Sequence, residues 1–187
     1  SKRLSTFKLA DNPTRFQVET LPEGNSIIIP KTSSERRVYL PLGFVDKNTI
    51  CSDAVFLIPD ASLYHFGILQ SLVHNAWMRT VAGRLKSDYR YSAGIVYNNF
   101  VWPNVSKSQI SEIERCAKAV IDIRKQYASL TLAEMYDPNN SYMLPDLVAA
   151  HKTLDRAVMN AYGIAIDSSE EEIVSHLFKL YSLNVSE

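Results

Sequence analysis

The sequence predicts an α+β fold, in which a mixed α/β part is followed by a small all-α part. Short β-rich runs interrupted by proline and glycine dominate up to about residue 103, and helical periodicity dominates after it. The composition of the 187 residues, 46% apolar and 21% charged, is typical of a globular chain and not of a disordered one. We therefore expect two domains, a mixed α/β one over residues 1–105 and a helical one over residues 106–187.

The first part contains four runs with the composition of strands, and they lie at residues 15–19, 26–29, 37–40 and 54–58. The first two flank a turn signal, Pro22-Glu23-Gly24, and the last is a continuous apolar run that ends at Pro59. A long helix is predicted over residues 62–81, with Asp60 as its cap and Gly83 just beyond its end. Extended structure is expected to return over residues 84–96, with Ile95 and Val96 in a strand.

The second part is predicted to form three main helices and one short helical turn, over residues 108–127, 132–136, 146–162 and 168–181. The first of these helices has apolar residues at helical spacing, among them Ile110, Ile113 and Ala117. Gly163 follows the helix predicted over residues 146–162, at a position where glycine commonly ends helices. Ser168, with Glu171 three residues later, predicts a capping box at the start of the last helix.

The sequence contains no motif of a catalytic centre. Its six glycines form no phosphate-binding loop, and its two cysteines and four histidines do not have the spacing of zinc ligands. No Gly-x-Ser-x-Gly elbow is present either. We therefore expect no catalytic residue, no metal site and no bound cofactor in this chain, and a binding surface is the favoured interpretation.

Three charged residues in the run from Gly83 to Pro103 are candidates for that surface. Lys86, Asp88 and Arg90 are spaced by two, so in an extended segment their side chains point to the same side. A lysine can donate to guanine and an aspartate can accept from the paired cytosine, so together they could read one G·C pair in a major groove. An exposed edge strand with an ion pair is the alternative, and the spacing alone favours that alternative.

A second candidate is the polar run Ser33-Ser34-Glu35-Arg36-Arg37. Serine and arginine at a turn suit phosphate binding, so Ser34, Arg36 and Arg37 are candidate contacts to a nucleic-acid backbone, although a polar loop before a strand is an equal alternative. The net charge of the chain is zero, yet residues 1–105 contain twelve Lys and Arg against eight Asp and Glu. This excess favours phosphate contacts in the first part of the chain.

Longer motifs in both parts resemble one known family. In the first part they are Ser-Glu-Arg-Arg at 34–37, Ile-Pro-Asp-Ala at 58–61, His-Phe-Gly-Ile-Leu at 65–69, Ala-Trp-Met-Arg at 76–79, Gly-Arg-Leu-Lys-Ser-Asp-Tyr-Arg-Tyr-Ser at 83–92 and Val-Tyr-Asn-Asn-Phe-Val-Trp-Pro at 96–103. In the second part they are Ile-Asp-Ile-Arg at 121–124, Leu-Ala-Glu-Met-Tyr-Asp at 132–137, Leu-Pro-Asp-Leu at 144–147 and Ala-His-Lys-Thr-Leu-Asp-Arg-Ala-Val at 150–158. The chain resembles the target-recognition domain and C-terminal helical segment of the MmeI-like type II DNA methyltransferases over roughly residues 25–163.

The resemblance implies a module that reads double-stranded DNA for an adenine-N6 methyltransferase of a bacterial restriction-modification system. It makes Lys86, Asp88 and Arg90 the expected base-reading residues, and it implies a second base-reading site at Asp53 and Ala54. Arg84 joins Ser34, Arg36 and Arg37 as an expected backbone contact. The catalytic domain that uses S-adenosylmethionine, and any nuclease, would precede this chain in the same polypeptide.

Further expectations concern the whole protein. The chain starts at Ser1 with no methionine and no apolar leader, so we expect a piece of a longer protein. The family resemblance implies a location in the bacterial cytoplasm, and no membrane partner is expected. The first rival function is a protein–protein interaction or specificity module that makes no direct DNA contact. The second is a small stand-alone enzyme, which the missing catalytic motifs disfavour.

Overall fold

The computed structural model describes residues 22–139 and 144–185, which form two small antiparallel sheets, six α-helices and one π-helical turn. The strands are β1 Ser26–Pro30, β2 Thr32–Ser33, β3 Gly43–Val45, β4 Val55–Ile58, β5 Gly83–Leu85 and β6 Asp88–Arg90. The helices are α1 Leu63–Gln70, α2 Leu72–Val81, α3 Lys107–Gln126, α4 Leu132–Met135, α5 Pro145–Tyr162 and α6 Glu170–Val185. The predicted α+β class is confirmed, whereas the strand predicted at residues 15–19 lies outside the described residues.

The first sheet has the strand order β3-β1-β4, and the second has the order β2-β6-β5. β1 pairs with a strand on each side, since Ile27 lies opposite both Phe44 and Ile58. Ile27 and Ile29 are fully buried, so one face of β1 packs on the core. β1 and β2 are separated by Lys31 alone, and this residue therefore links the two sheets.

The prediction of a strand at residues 37–40 is wrong. The strand on that side of β1 is β3, which comes after this segment in the chain. The backbone of Leu40 is bound by side chains from the helices. Its N–H donates to Asn75 Oδ1 at 2.8 Å, and its carbonyl accepts from Gln70 Nε2 at 2.8 Å. Because these buried amides satisfy the backbone groups, the segment needs no neighbouring strand.

The single helix predicted over residues 62–81 is two helices, α1 and α2, which meet at Ser71. Ser71 has extended backbone angles, with ψ at 161°, and serves both as the last cap of α1 and as the first cap of α2. At this break the N–H of Leu72 donates to Asp155 Oδ1 of α5 at 2.7 Å. α1 begins after Ser62 and not after Asp60, because Ser62 and His65 form its capping box.

The prediction of extended structure over residues 84–96 is correct for β5 and β6 and wrong from Ala93 onward. Ala93–Tyr97 forms a π-helical turn, in which the N–H of Asn98 donates to the carbonyl of Ala93 at 2.9 Å. The indole of Trp77 in α2 donates to the carbonyl of Val96 at 3.0 Å. The turn is therefore attached to α2 and does not continue the sheet.

The helices predicted in the second part are confirmed as α3 to α6, with a shift of one residue at the last cap. The capping box of α6 consists of Ser169 and Glu172, since Glu172 Oε2 accepts from the N–H of Ser169 and Ser169 Oγ accepts from the N–H of Glu172. No helix in the described residues is both long enough and apolar enough to cross a membrane.

One hydrophobic core includes residues from both parts of the chain. α1 and α3 approach closely at Gly67, where a Cβ atom would lie 2.6 Å from Cγ2 of Ile113 and 3.3 Å from Cβ of Ala117. Glycine is needed here because any side chain would overlap α3. The division at residue 105 therefore separates two parts that pack on each other, and it stays a prediction.

Candidate nucleic-acid interface

The run that contains the candidate base-reading residues folds as a tight hairpin. β5 and β6 are joined by Lys86 and Ser87, and Leu85 lies directly opposite Asp88. Lys86 has a positive φ of 58°, which two-residue hairpin loops commonly require. On its other side β6 pairs with β2, where Thr32 lies opposite Arg90. The hairpin is therefore anchored through β6 to the segment that follows Lys31.

The small sheet β2-β6-β5 has one buried side and one exposed side. Directly opposite residues of an antiparallel pair share a face, so Tyr89, Ser33 and Arg84 lie on one face. Tyr89 and Ser33 are buried, which identifies this face as the inner one. We call the other side the outer face; its side chains are Thr32, Leu85, Asp88 and Arg90, all exposed except the half-buried Asp88.

The expectation that Lys86, Asp88 and Arg90 share one side of a strand is wrong for Lys86. Asp88 and Arg90 share the outer face of β6, whereas Lys86 lies in the loop at the end of the hairpin. Gly83, which lies opposite Arg90, has no side chain, and a Cβ atom there would meet nothing within 4 Å. Arg90 is therefore uncovered on the β5 side, and Lys86 extends the charged surface to the hairpin tip.

Arg84, expected to contact a DNA backbone, is engaged within the hairpin. Its guanidinium lies 3.8 Å from the centre of the Tyr89 ring. It also donates to the carbonyl of Ser87 at 2.7 Å and to Glu35 at 3.4 Å. These contacts hold the hairpin loop against Tyr89, so the structure gives Arg84 a role in positioning the loop. Its contact with DNA stays a prediction.

The loop after β2 contains the other expected backbone contacts. Ser34 Oγ accepts from the N–H of Arg36 at 3.4 Å, and the carbonyl of Ser34 accepts from the N–H of Arg37 at 3.2 Å. The side chain of Arg36 is exposed, whereas half-buried Arg37 donates to the carbonyl of Ala133 at 3.4 Å. Arg36 is thus free to reach a phosphate, and Arg37 attaches the loop to α4.

Asp53 and Ala54 lie in an exposed turn just before β4. The carbonyl of Ala54 accepts from the N–H of Lys31 at 2.9 Å, and the carbonyl of Lys31 accepts from the N–H of Tyr91 at 2.9 Å. Lys31 therefore lies between the two segments that were expected to read bases. No local pattern predicts a role for Lys31, because the backbone pairing that places it there joins residues far apart in the chain.

At the end of the hairpin away from its loop, β6 leads into buried, uncharged groups. Tyr91 is buried, and its hydroxyl lies 3.1 Å from Nε2 of His74. Burial lowers the pKa of His74 to about 3, so its ring is uncharged at neutral pH. The rings of His74 and Phe100 are perpendicular to each other, with their centroids 4.9 Å apart. β6 is therefore followed directly by a residue that is buried among uncharged groups.

A buried polar network joins the helices behind this base. Arg124 of α3 donates to the carbonyl of Leu42 at 2.7 Å, to Gln70 Oε1 at 2.8 Å and to the hydroxyl of Tyr136. The hydroxyl of Tyr136 lies 2.6 Å from Nε2 of His151, whose pKa is lowered to about 3 by burial and by Arg124. These residues fix α3, α4 and α5 against the first part of the chain.

Asp155 occupies the same buried region. Its two carboxylate oxygens accept from the N–H of Leu72 at 2.7 Å and from the hydroxyl of Tyr39 at 2.5 Å. Burial raises its pKa to about 6. These two hydrogen bonds join α5 to the start of α2 and to Tyr39. In the described residues no group of three His, Cys, Asp or Glu side chains could hold a metal ion.

Both parts of the chain match models of one protein family. Residues 1–104 match the family model described as MmeI, target recognition domain, and residues 105–186 match the one described as MmeI, C-terminal domain. The chain belongs to the MmeI target-recognition family. The resemblance inferred from the motifs is thereby confirmed.

Relatives of this MmeI-family chain are much longer proteins. It is 43% identical over 176 residues to DNA methyltransferase A of Bacillus subtilis (strain 168), covering 94% of this chain and 20% of the relative. A solved structure of the Type IIL restriction-modification enzyme MmeI in complex with DNA matches all of this chain and 25% of that one, with 41% identity and a TM-score of 0.93. The chain thus spans a fifth to a quarter of the proteins it matches.

Proposed function

We propose that this chain is the sequence-reading DNA module of a bacterial adenine-N6 DNA methyltransferase of a restriction-modification system. The observation that supports this best is the outer face of β2-β6-β5. Asp88 and Arg90 lie there side by side, and no side chain of β5 covers Arg90. A carboxylate accepts from the amino group of cytosine or adenine, and a guanidinium donates to guanine, so the two residues match base edges in a major groove.

The groups around this face supply contacts that fix the module on DNA. Arg36, exposed in the loop after β2, would bind a phosphate and set the register of the module without reading sequence. Asp53 and Ala54, exposed in the turn before β4, would contact a second group of bases. Lys31 lies between these segments and adds a positive charge at their junction. The expected contacts therefore lie on segments that adjoin one another.

Catalysis belongs to the domain that we expect before residue 1. The motifs of this chain resemble the target-recognition and C-terminal segments of the family, and the sequence contains no glycine-rich phosphate loop. We therefore assign S-adenosylmethionine to the upstream domain. A methyltransferase must take its target base out of the helical stack, so this chain would hold the duplex while the upstream domain extrudes the adenine. Such an enzyme would act on DNA in the bacterial cytoplasm.

The alternative is an interaction module whose partner is a protein. A duplex-binding measurement on the complete polypeptide separates the two functions. With a DNA-reading function, fluorescence anisotropy shows tight binding to duplexes that contain the methylated sequence, and affinity falls linearly on a logarithmic scale as salt rises. Equal, salt-insensitive binding to every duplex, or no binding at low salt, would contradict the proposal and favour the protein partner.

A further inference from the structure

The outer face contains one apolar side chain between its charged ones. Leu85 lies directly opposite Asp88 across β5 and β6, so the two side chains project from the same side of the hairpin. Leu85 is 52% exposed, and it is not among the apolar residues that pack on the core of the described chain. The fold therefore does not require a leucine at this position.

An isolated exposed leucine is common on protein surfaces and needs no explanation by itself. The position of Leu85 is what gives it meaning. The outer face combines an acceptor at Asp88, a donor at Arg90 and an apolar group at Leu85. A major groove presents the same three kinds of partner, namely amino donors, ring and carbonyl acceptors, and the C5-methyl group of thymine. The methyl group is the apolar feature by which a protein recognises thymine there.

We propose that Leu85 determines specificity by contacting the C5-methyl group of a thymine in the base pair that Asp88 reads or in the adjacent one. The inference rests on the proposed DNA-reading function. Opposite Cβ atoms in an antiparallel pair are about 5 Å apart, and successive bases of one strand are about 3.4 Å apart. Leu85 and Asp88 therefore reach either the same base pair or adjacent ones. The expected ligand is one thymine methyl group of the recognition sequence.

A thymine-by-thymine substitution in the DNA tests this contact. Each thymine of the recognition sequence, on both strands, is replaced singly by deoxyuridine, which lacks only the methyl group. Fluorescence anisotropy then gives the Kd of the complete polypeptide for each duplex. The wild-type protein loses about fourfold in affinity at one thymine, the effect of one buried methyl group. Leu85→Ala binds the unmodified duplex about fourfold more weakly and no longer responds to deoxyuridine at that position.

Two comparison variants complete the design. Leu85→Met keeps an apolar side chain and should retain the response to deoxyuridine. Arg90→Ala removes a different group of the outer face, so it should weaken binding while keeping that response. If Leu85→Ala responds to deoxyuridine as the wild type does, or if the wild type responds at no thymine, the Leu85 assignment is wrong. If Arg90→Ala and Leu85→Ala both bind every duplex as the wild type does, the proposed function itself fails.

Discussion

The buried carboxylate of Asp155 makes the stability of this fold depend on pH in an unusual direction. Its pKa is raised by burial from 3.8 to about 6. Between these values the folded state binds more protons than the unfolded state, so the contribution of this group is complete below about pH 4 and is lost as the pH rises through 6. The loss amounts to about 3 kcal/mol, since each pKa unit corresponds to about 1.4 kcal/mol.

Asp155→Asn removes this titration and keeps an oxygen for the N–H of Leu72. The difference in unfolding free energy, variant minus wild type, should therefore increase by about 3 kcal/mol from about pH 4 to about pH 7. Urea denaturation of the 187-residue chain at several pH values measures it. His74 and His151, whose pKa values are lowered to about 3 by burial, titrate in the opposite sense in both proteins and cancel in the difference.

Asp122→Asn is the matched control. This exposed carboxylate on α3 accepts hydrogen bonds from Lys118 and Lys125, and they lower its pKa. Its contribution to stability is present at neutral pH and is lost as the pH falls, so the variant-minus-wild-type difference should decrease as the pH rises. A flat or decreasing difference for Asp155→Asn across the same range would refute the assignment of Asp155 as a buried acid that is costly to ionise.

Two further predictions concern packing and charge. Gly67→Ala should lower the unfolding free energy by about 1 kcal/mol, because the overlap with Ile113 outweighs the better helix propensity of alanine. In an Ile113→Ala background the same substitution should raise the unfolding free energy. Urea denaturation measures both differences, and stabilisation in both backgrounds would contradict the close approach of α1 and α3. Arg36→Ala should weaken binding to all duplexes and reduce the slope of log affinity against log salt by about 1. The control is Lys118→Ala, which removes a cation of α3 that is paired with Asp122. An equal change of slope in both variants would contradict the phosphate contact of Arg36.

Local sequence patterns predicted the helices of the second part well. α3 and α5 have apolar residues at helical spacing and end signals such as Gly163, and these are properties of neighbouring residues. The break at Ser71 was not predictable, because the carboxylate that binds the N–H of Leu72 belongs to Asp155, 83 residues later. For the same reason the segment at Leu40 was mistaken for a strand, since Asn75 and Gln70 bind its backbone.

The candidate site was predicted only in part. Charge alternation correctly placed Asp88 and Arg90 on one side of a strand. It also placed Lys86 in that strand, because Leu-Lys-Ser-Asp contains no glycine or asparagine to mark a turn. That these residues read bases stays a prediction. The family resemblance, and not the spacing, favoured base reading over an ordinary edge strand. Lys31 and the engagement of Arg84 with Tyr89 depend on strand pairing, which short-range patterns do not specify.

The central claim is that the hairpin from β5 to β6 reads bases, and a reversal of its charges tests it most directly. Lys86, in the loop at the hairpin tip, and Asp88, on the outer face beside that loop, are expected to read one G·C pair between them. Lys86→Glu with Asp88→Arg exchanges this donor and this acceptor, so a guanine at one position of the recognised sequence should be replaced by cytosine. Sequencing of methylated sites in DNA modified by the complete polypeptide measures this change. We expect one position to change and the others to stay the same. Methylation of the original sequence at undiminished efficiency would contradict the claim.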